Sequence, residues 1–435
     1  SEDSMNILRK IYVVFAIIIF PATFSIGGVS SLFAQPKIPD NENGAIVLKD
    51  AFKILDNISR EYEKDLKYMP YGGTLNWEDV SPEQKKKIND LIFYNPDFIK
   101  MFQLLEKASE MECVFTNTKS APPEFLHIQS YLRTFVRMLC SKSKIEAENG
   151  NINASLKTSL TALKLGRCLS NEKSVISQMV RIATDMISMR HIEQIPDARN
   201  VDYRSIIEYT EKERKENIIS EVLIQEMIVF GMPELLKQFE SVLCLNSEKK
   251  ELTNKEREDL KNIFGTENIE DVKKIAKEYW IDEISFYIKI MGEMILYSSK
   301  PYYEGKIRIE QLEKEIKQLP EKKASISRGL FPAYVRAYQQ ESNLDAVLGA
   351  AEIGLAIRVY RKMYEKYPEN LTQLIPVVLP ELPIDPFTGR QYIYRKNVDS
   401  IIVYSVGEDM KDDGGIEEKT LKPDIVWNEF LILNK

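Results

Sequence analysis

The sequence predicts a mainly α-helical protein that ends in a small α+β module, and three observations predict it. From Gly44 to about Asp345, apolar residues recur at three- and four-residue steps and strand-like alternation is scarce. After about Asp345 a small-residue-rich helix pattern, a proline-rich stretch and two short alternating runs follow in order. Ahead of both lies a short basic and apolar N-terminal segment. The chain is therefore read as segments 1–35, 36–344 and 345–435, its 435 residues exceeding the size at which a single core stops growing.

The N-terminal segment places Arg9 and Lys10 before an apolar run from Ile11 to Phe20, then a small-residue stretch ending at Ala34. That order is the layout of a secretory signal peptide. The bulky Leu32 keeps an uncleaved N-terminal anchor as the alternative, and through it alone would the chain meet a membrane. Either way the expected location is outside the cytoplasm, in the periplasm or cell envelope. Charged residues make up 29% of the chain, mixed in sign with a net charge of −7, so no broad basic surface is expected for a nucleic-acid backbone.

In the helical segment, "QSYLRTFVRMLCSKSKIEAENG" places Leu132, Phe135, Val136, Leu139 and Cys140 on one face, and Asn149-Gly150 is a stop signal. Leu156, Leu160, Leu163 and Leu165 mark the next helix. Ser170 or Asn171 is the expected cap of a third, whose apolar positions are Val175, Ile176, Met179, Val180, Ala183, Met186 and Ile187. Short polar turns between them predict antiparallel hairpins in a solenoid-like or irregular bundle, and "AENGNINASLKTSLTALKLG" resembles tetratricopeptide-type repeats. Helical periodicity continues through "ENIISEVLIQEMIVFGMPELLKQFESVLCL", "IEDVKKIAKEYWIDEISFYIKIMGEMILYSS" and "EGKIRIEQLEKEIKQL". Tyr279, Trp280, Phe286, Tyr287 and Met291 are read as core rather than as a groove lining. "YMPYGGTLNWEDVSPEQ" and "NTKSAPPEF" are read as surface insertions.

At the C-terminal end, "AVLGAAEIGLAIRVYRKMYEKYP" predicts a helix stopped at Tyr367-Pro368, and "ENLTQLI" a short second one. "QYIYR" and "SIIVYSV" predict a hairpin across "KNVD". There follows "GEDMKDDGGIEEKTLKPD", with Glu408, Asp409, Asp412, Asp413, Glu417, Glu418 and Asp424 beside three lysines. Crowded carboxylates repel, and a hard divalent cation offsets that repulsion. Calcium takes carboxylate and carbonyl oxygens in irregular loops with glycine at the bends, here Gly407, Gly414 and Gly415. The spacing is not that of an EF-hand, and a solvated acidic turn is the rival reading.

From about Ala351 onward the motif order "KYPENLTQLIP", "LPIDPFTGRQYIYR", "YSVGEDMKDDGG" and "PDIVW" resembles the C-terminal module of the major pseudopilin of bacterial type II secretion systems. The resemblance implies a structural Ca2+ held by Asp409 and Asp424, with Asp412 or Asp413 and a backbone carbonyl near Val406 as further ligands. Met410 stands where that family often has glycine, and Asp385 before Pro386 is read as a turn former. The N-terminal segment lacks the prepilin-peptidase motif, so the resemblance is confined to this module. One minor pseudopilin type carries a large inserted helical domain, and the whole layout also resembles a group of bacterial exported proteins.

Signatures of nucleophilic, zinc-dependent and nucleotide-dependent enzymes are missing: the chain has two histidines and no HExxH, GxSxG or phosphate-binding loop. His127 and His191 sit among apolar residues and are read as hydrogen-bonded and partly buried. Asp282-Glu283 is read as a solvated helix turn. No catalytic residue or organic cofactor is assigned. Cys113, Cys140, Cys168 and Cys244 form no CxxC pair and are read as small buried apolar groups, with one or two disulfides as the alternative. The expectation is a non-enzymatic envelope protein with a helical interaction domain, its partners being other envelope proteins. The alternatives are a pilus or type II secretion component, or a hydrolase using carboxylates in a helical cleft.

Overall fold

Among its described residues, the computed structural model is dominated by helices, with three short strands near the C-terminus. It describes residues 38–115, 123–198, 200–216, 218–233, 235, 261, 266, 268–320, 324–396, 400–415 and 424–430. The N-terminal segment read as an export signal, "NTKSAPPEF" up to Pro122 and Cys244 lie outside these residues, as does the His127 side chain. No described helix is long and apolar enough to cross a membrane.

Of the described residues, those within Ile218–Tyr338 form one compact unit, and those within Gln35–Asn217 and Gln339–Lys435 form the other. The division expected at residue 344 falls inside one continuous helix, Ser325–Tyr364. Residues after 345 share their hydrophobic core with the helices between 152 and 215, including Leu163, Ile192, Tyr203 and Ile206. Local composition marks where the pattern changes, but long-range packing decides what folds together.

In the larger unit, α1 (Gly44–Glu61) starts at Asn43, whose side chain accepts the Ala45 and Val114 N–H groups at 3.0 Å. After α2 (Glu63–Leu66), the segment read as a surface insertion turns inward instead. Trp77 and Met69 are buried, and the Trp77 indole donates to Glu148 at 2.9 Å. Helices α3 (Pro82–Tyr94) and α4 (Pro96–Ser109) each begin with proline behind a capping Ser81 or Asn95. Helix α5 (Pro123–Glu148) stops where expected, at Gly150 with φ +80°.

Helix α6 (Ile152–Gly166) packs against α5, and α7 (Val175–Gln194) packs against both. The cap of α7 is Ser174, whose Oγ accepts the Ser177 N–H, because the chain first makes a 3-10 turn over Arg167–Leu169. Asn171, an expected cap, instead donates to the Cys113 carbonyl at 2.9 Å. Ile176, assigned to the apolar face, is exposed, while Arg181 and Asp185 on the polar face are buried. Helix α8 (Arg204–Lys215) supplies Glu213 to that buried polar face.

The other unit contains α9 (Ile219–Gln225), which continues into a π-turn, Glu226–Gly231, and α10 (Ile269–Ser298). It also contains α11 (Tyr302–Gln318) and the first part of α12 (Ser325–Tyr364). Tyr287 and Met291 are core, as expected, whereas Tyr279 and Trp280 are half-exposed. Asp282 is exposed but Glu283 is not a solvated group: fully buried, it accepts the Ser327 N–H and hydroxyl at 2.9 and 2.7 Å. It thereby satisfies a donor that the first turn of α12 leaves open.

After α12, "ENLTQLI" forms a 3-10 turn, Leu371–Leu374. Strands β1 (Ile393–Lys396) and β2 (Ser400–Ser405) pair antiparallel as expected. A further strand, β3 (Ile425–Phe430), pairs antiparallel with β2, giving the order β1-β2-β3. Two glycines of α12 admit side chains from the sheet region: Tyr392 over Gly349 and Trp427 over Gly354. The Arg358 guanidinium lies between the Tyr203 and Trp427 rings and donates to the Ile195 and Glu193 carbonyls at 3.1 Å. Asn428 N–H donates to Glu193 at 2.9 Å, so the sheet is fastened to the end of α7.

Candidate functional site

The acidic loop joins β2 to β3. Its entry is set by Asp385, a buried turn former that accepts from the Phe387 N–H, Thr388 and Ser405. Ser405 in turn accepts the Gly407 N–H at 3.2 Å, and Val406 is buried at this entry. Gly407 to Met410 form a turn closed by the Met410 N–H to Gly407 carbonyl bond at 3.1 Å. Met410 there has φ +63°, a left-handed conformation that glycine adopts without strain.

Asp409 caps its own turn, accepting the Lys411 N–H at 3.0 Å. Asp412 is held by the Tyr404 hydroxyl at 2.8 Å and the Gly414 N–H at 2.9 Å, with Arg395 at 3.4 Å. The Tyr404 and Gly414 hydrogen bonds hold its carboxyl below the usual range, and the Arg395 charge adds to them. Asp413 is exposed, but its N–H reaches Asp424 at 3.4 Å. Asp424, 2% exposed, also accepts the Gly415 N–H at 2.7 Å and so closes the loop at its base. Burial raises the Asp424 carboxyl above the usual range; the two N–H bonds oppose this, and the charges of Asp413 and Asp412 add to it.

The structure thus brings Asp412, Asp413 and Asp424 to one region and leaves Asp409 engaged with its own turn. Sequence reasoning missed Arg395 and Tyr404. Their signal is the strand register, which puts Arg395 opposite Ile402 and hence diagonal to Tyr404. The oxygen-only donor set suits a hard cation, and among the described residues no Lys or Arg pairs with Asp424. Among the described residues no three acidic, histidine or cysteine groups are already disposed around one metal position. An ion would therefore draw on backbone carbonyls and on the second lone pairs of Asp424.

A second constellation is chemical in appearance. His191 Nε2 lies 2.7 Å from Ser143 Oγ, and its Nδ1 lies 3.0 Å from the Tyr71 hydroxyl. A serine nucleophile and its base have that spacing. Here Ser143 also meets the Ser155 carbonyl at 2.7 Å and is fully buried, and His191 is oriented by a phenol rather than a carboxylate. Burial pushes the imidazole down to about 3, with the Lys144 charge adding to it. This is a neutral hydrogen-bond chain joining α5, α6 and α7, in keeping with the reading of His191 as a hydrogen-bonded buried residue.

A third set was not visible in the sequence. Arg181, Asp185 and Glu213 are all buried, with Arg181 Nη2 3.6 Å from Glu213 and Nε 3.9 Å from Asp185. Arg167 reaches Glu213 at 2.8 Å, and Glu341 accepts from Gln178 at 2.5 Å. Burial raises the carboxyls of Asp185, Glu213 and Glu341, and the arginines oppose it. Four residues further along α12, burial lifts Asp345 to about 7. Elsewhere a cavity of about 180 Å³ lies among Ile92, Phe93, Phe102 and Leu139, but its Lys142 already pairs with Glu146 and Thr158.

The class this architecture defines is a mainly helical protein with a small three-stranded antiparallel sheet near its C-terminus. No protein-family model, no curated protein and no solved structure matches the chain.

Proposed function

We propose that the protein is an exported, non-enzymatic envelope protein with a helical interaction domain and a pseudopilin-like C-terminal module stabilised by calcium. The observation that carries this reading is Asp424. The residue that the resemblance assigns as a ligand is the buried carboxylate closing the β2–β3 loop through the N–H groups of Asp413 and Gly415. A buried carboxylate with like charges nearby and no basic partner among the described residues is a group that a divalent cation would stabilise. A helix laid against an antiparallel sheet, with the acidic loop between its last two strands, supports the pilin-like reading. The mutually packed α5, α6 and α7 support hairpins of solenoid type as the surface for envelope partners.

Calorimetric titration of Ca2+ into chelator-treated protein tests the reading. A saturable one-site heat that Asp424→Asn abolishes is expected, and no heat for the wild type contradicts it. A narrower variant, a pilus or type II secretion component, predicts co-purification with that machinery from the envelope. A second reading, a carboxylate-dependent hydrolase, is favoured by the raised carboxyls of Asp185, Glu213 and Glu341. It predicts glycosidase activity lost in Glu341→Gln with the fold retained.

A further inference from the structure

Cys113 and Cys168 lie 55 residues apart in sequence, yet the fold brings both into one hydrophobic core beside the end of α4. Cys113 sits in the short extended segment after α4, and Cys168 in the 3-10 turn after α6. Asn171 donates to the Cys113 carbonyl at 2.9 Å, and Glu172 accepts the Phe115 N–H at 3.1 Å, so the segment is stitched along the turn. On the other side, Asn43 takes the Val114 N–H and donates to its carbonyl. Gly44 leaves room for the Cys113 sulfur, because a Cβ there would fall 2.7 Å from it. Both thiols face the end of α4: Cys113 toward the Met111 carbonyl and Cys168 toward that of Ala108. Both are buried free thiols, and Cys113 is the neighbouring side chain that acts most on the Cys168 thiol.

We propose that Cys113 and Cys168 form a disulfide when the chain folds in an oxidising compartment, linking the end of α4 to the turn between α6 and α7. The location, but not the pairing, rests on the export reading above. Both residues lie outside regular α-helix, in a loop and a single 3-10 turn that can adjust to the Cα separation a disulfide needs. The oxidant is a disulfide, oxidised glutathione in the test or a dithiol–disulfide oxidoreductase in the cell. One cysteine thiolate attacks it to form a mixed disulfide and release a thiol. The second thiolate then displaces the remaining thiol, so that two protons leave the protein and the oxidant takes up two electrons. Buried thiols resist ionisation, which puts this exchange during folding rather than after it. Cys140 stands apart, its thiol pushed up to about 12 by burial.

The test is refolding of the full chain in a glutathione redox buffer, followed by alkylation under denaturing conditions and peptide mass mapping. The expected result is a Cys113–Cys168 peptide pair, with two of the four cysteines left to alkylate. A bridge of this loop length should raise Tm by about 5 °C or more over the reduced wild type. That gain should be missing in Cys168→Ser, and the wild-type comparison stands even if the variant does not fold. Four alkylated cysteines, or a bridge to Cys140 or Cys244, overturns the pairing. A chain that bridges in the buffer but is reduced when recovered from cells overturns the location and leaves the pairing intact.

Discussion

The indole of Trp427 on β3 rests on Gly354 of α12, and a Cβ added at that glycine would lie 2.1 Å from Nε1. No rotamer change in the helix relieves such an overlap, because the intruding atom is fixed to the backbone. Gly354→Ala should therefore displace β3, despite the better helix propensity of alanine, and destabilise the larger unit by about 1–3 kcal/mol. Urea unfolding followed by tryptophan fluorescence measures it, and a neutral or stabilising result would show that the sheet is not seated on α12.

Arg181 holds two buried acids in check. Removing it by Arg181→Leu leaves Asp185 and Glu213 without that charge in a buried site, a loss of about 3–5 kcal/mol at neutral pH. The loss should shrink as the pH falls and the two carboxyls protonate. A double-mutant cycle with Glu213→Gln should show coupling above 1 kcal/mol in the same urea assay. Strictly additive effects would mean that the two groups do not interact.

Asp345 predicts a pH dependence of definite sign. Burial raises its folded pKa to about 7, partly opposed by the Arg214 charge and reinforced by Glu341, Asp385 and Glu352. The unfolded carboxyl titrates near 3.9. Between about pH 4 and 7 the folded chain binds the extra proton, so its stability is greatest at the acidic end and falls as pH rises through this window. The fall from this group is at most on the order of 4 kcal/mol. Asp345→Asn should flatten that slope in urea titrations across the window and make the protein more stable than wild type at pH 7.5. An unchanged slope would place the proton elsewhere.

Much of this architecture is written locally. The face of α5 and its stop at Asn149-Gly150, and the hairpin of β1 and β2, follow from spacing within about 20 residues. Arg181 and Asp185 read as the solvated side of α7, because nothing within that helix reveals that α8 supplies Glu213 to the same face. Trp77 read as part of a surface loop, because its partner Glu148 lies 71 residues away. In the candidate site, Asp409 and Asp424, with Asp412 or Asp413, are singled out by composition and motif order. The clamp of Arg395 and Tyr404 on Asp412 needs the strand register, which the sequence does not carry on its face.

The claim that calcium braces the β2–β3 loop is tested most directly by melting the full chain with a chelator and with millimolar calcium. A cation bound to the folded loop alone should raise Tm by about 3–6 °C, and Asp424→Asn should remove the response. Superimposable wild-type curves with and without calcium would contradict it.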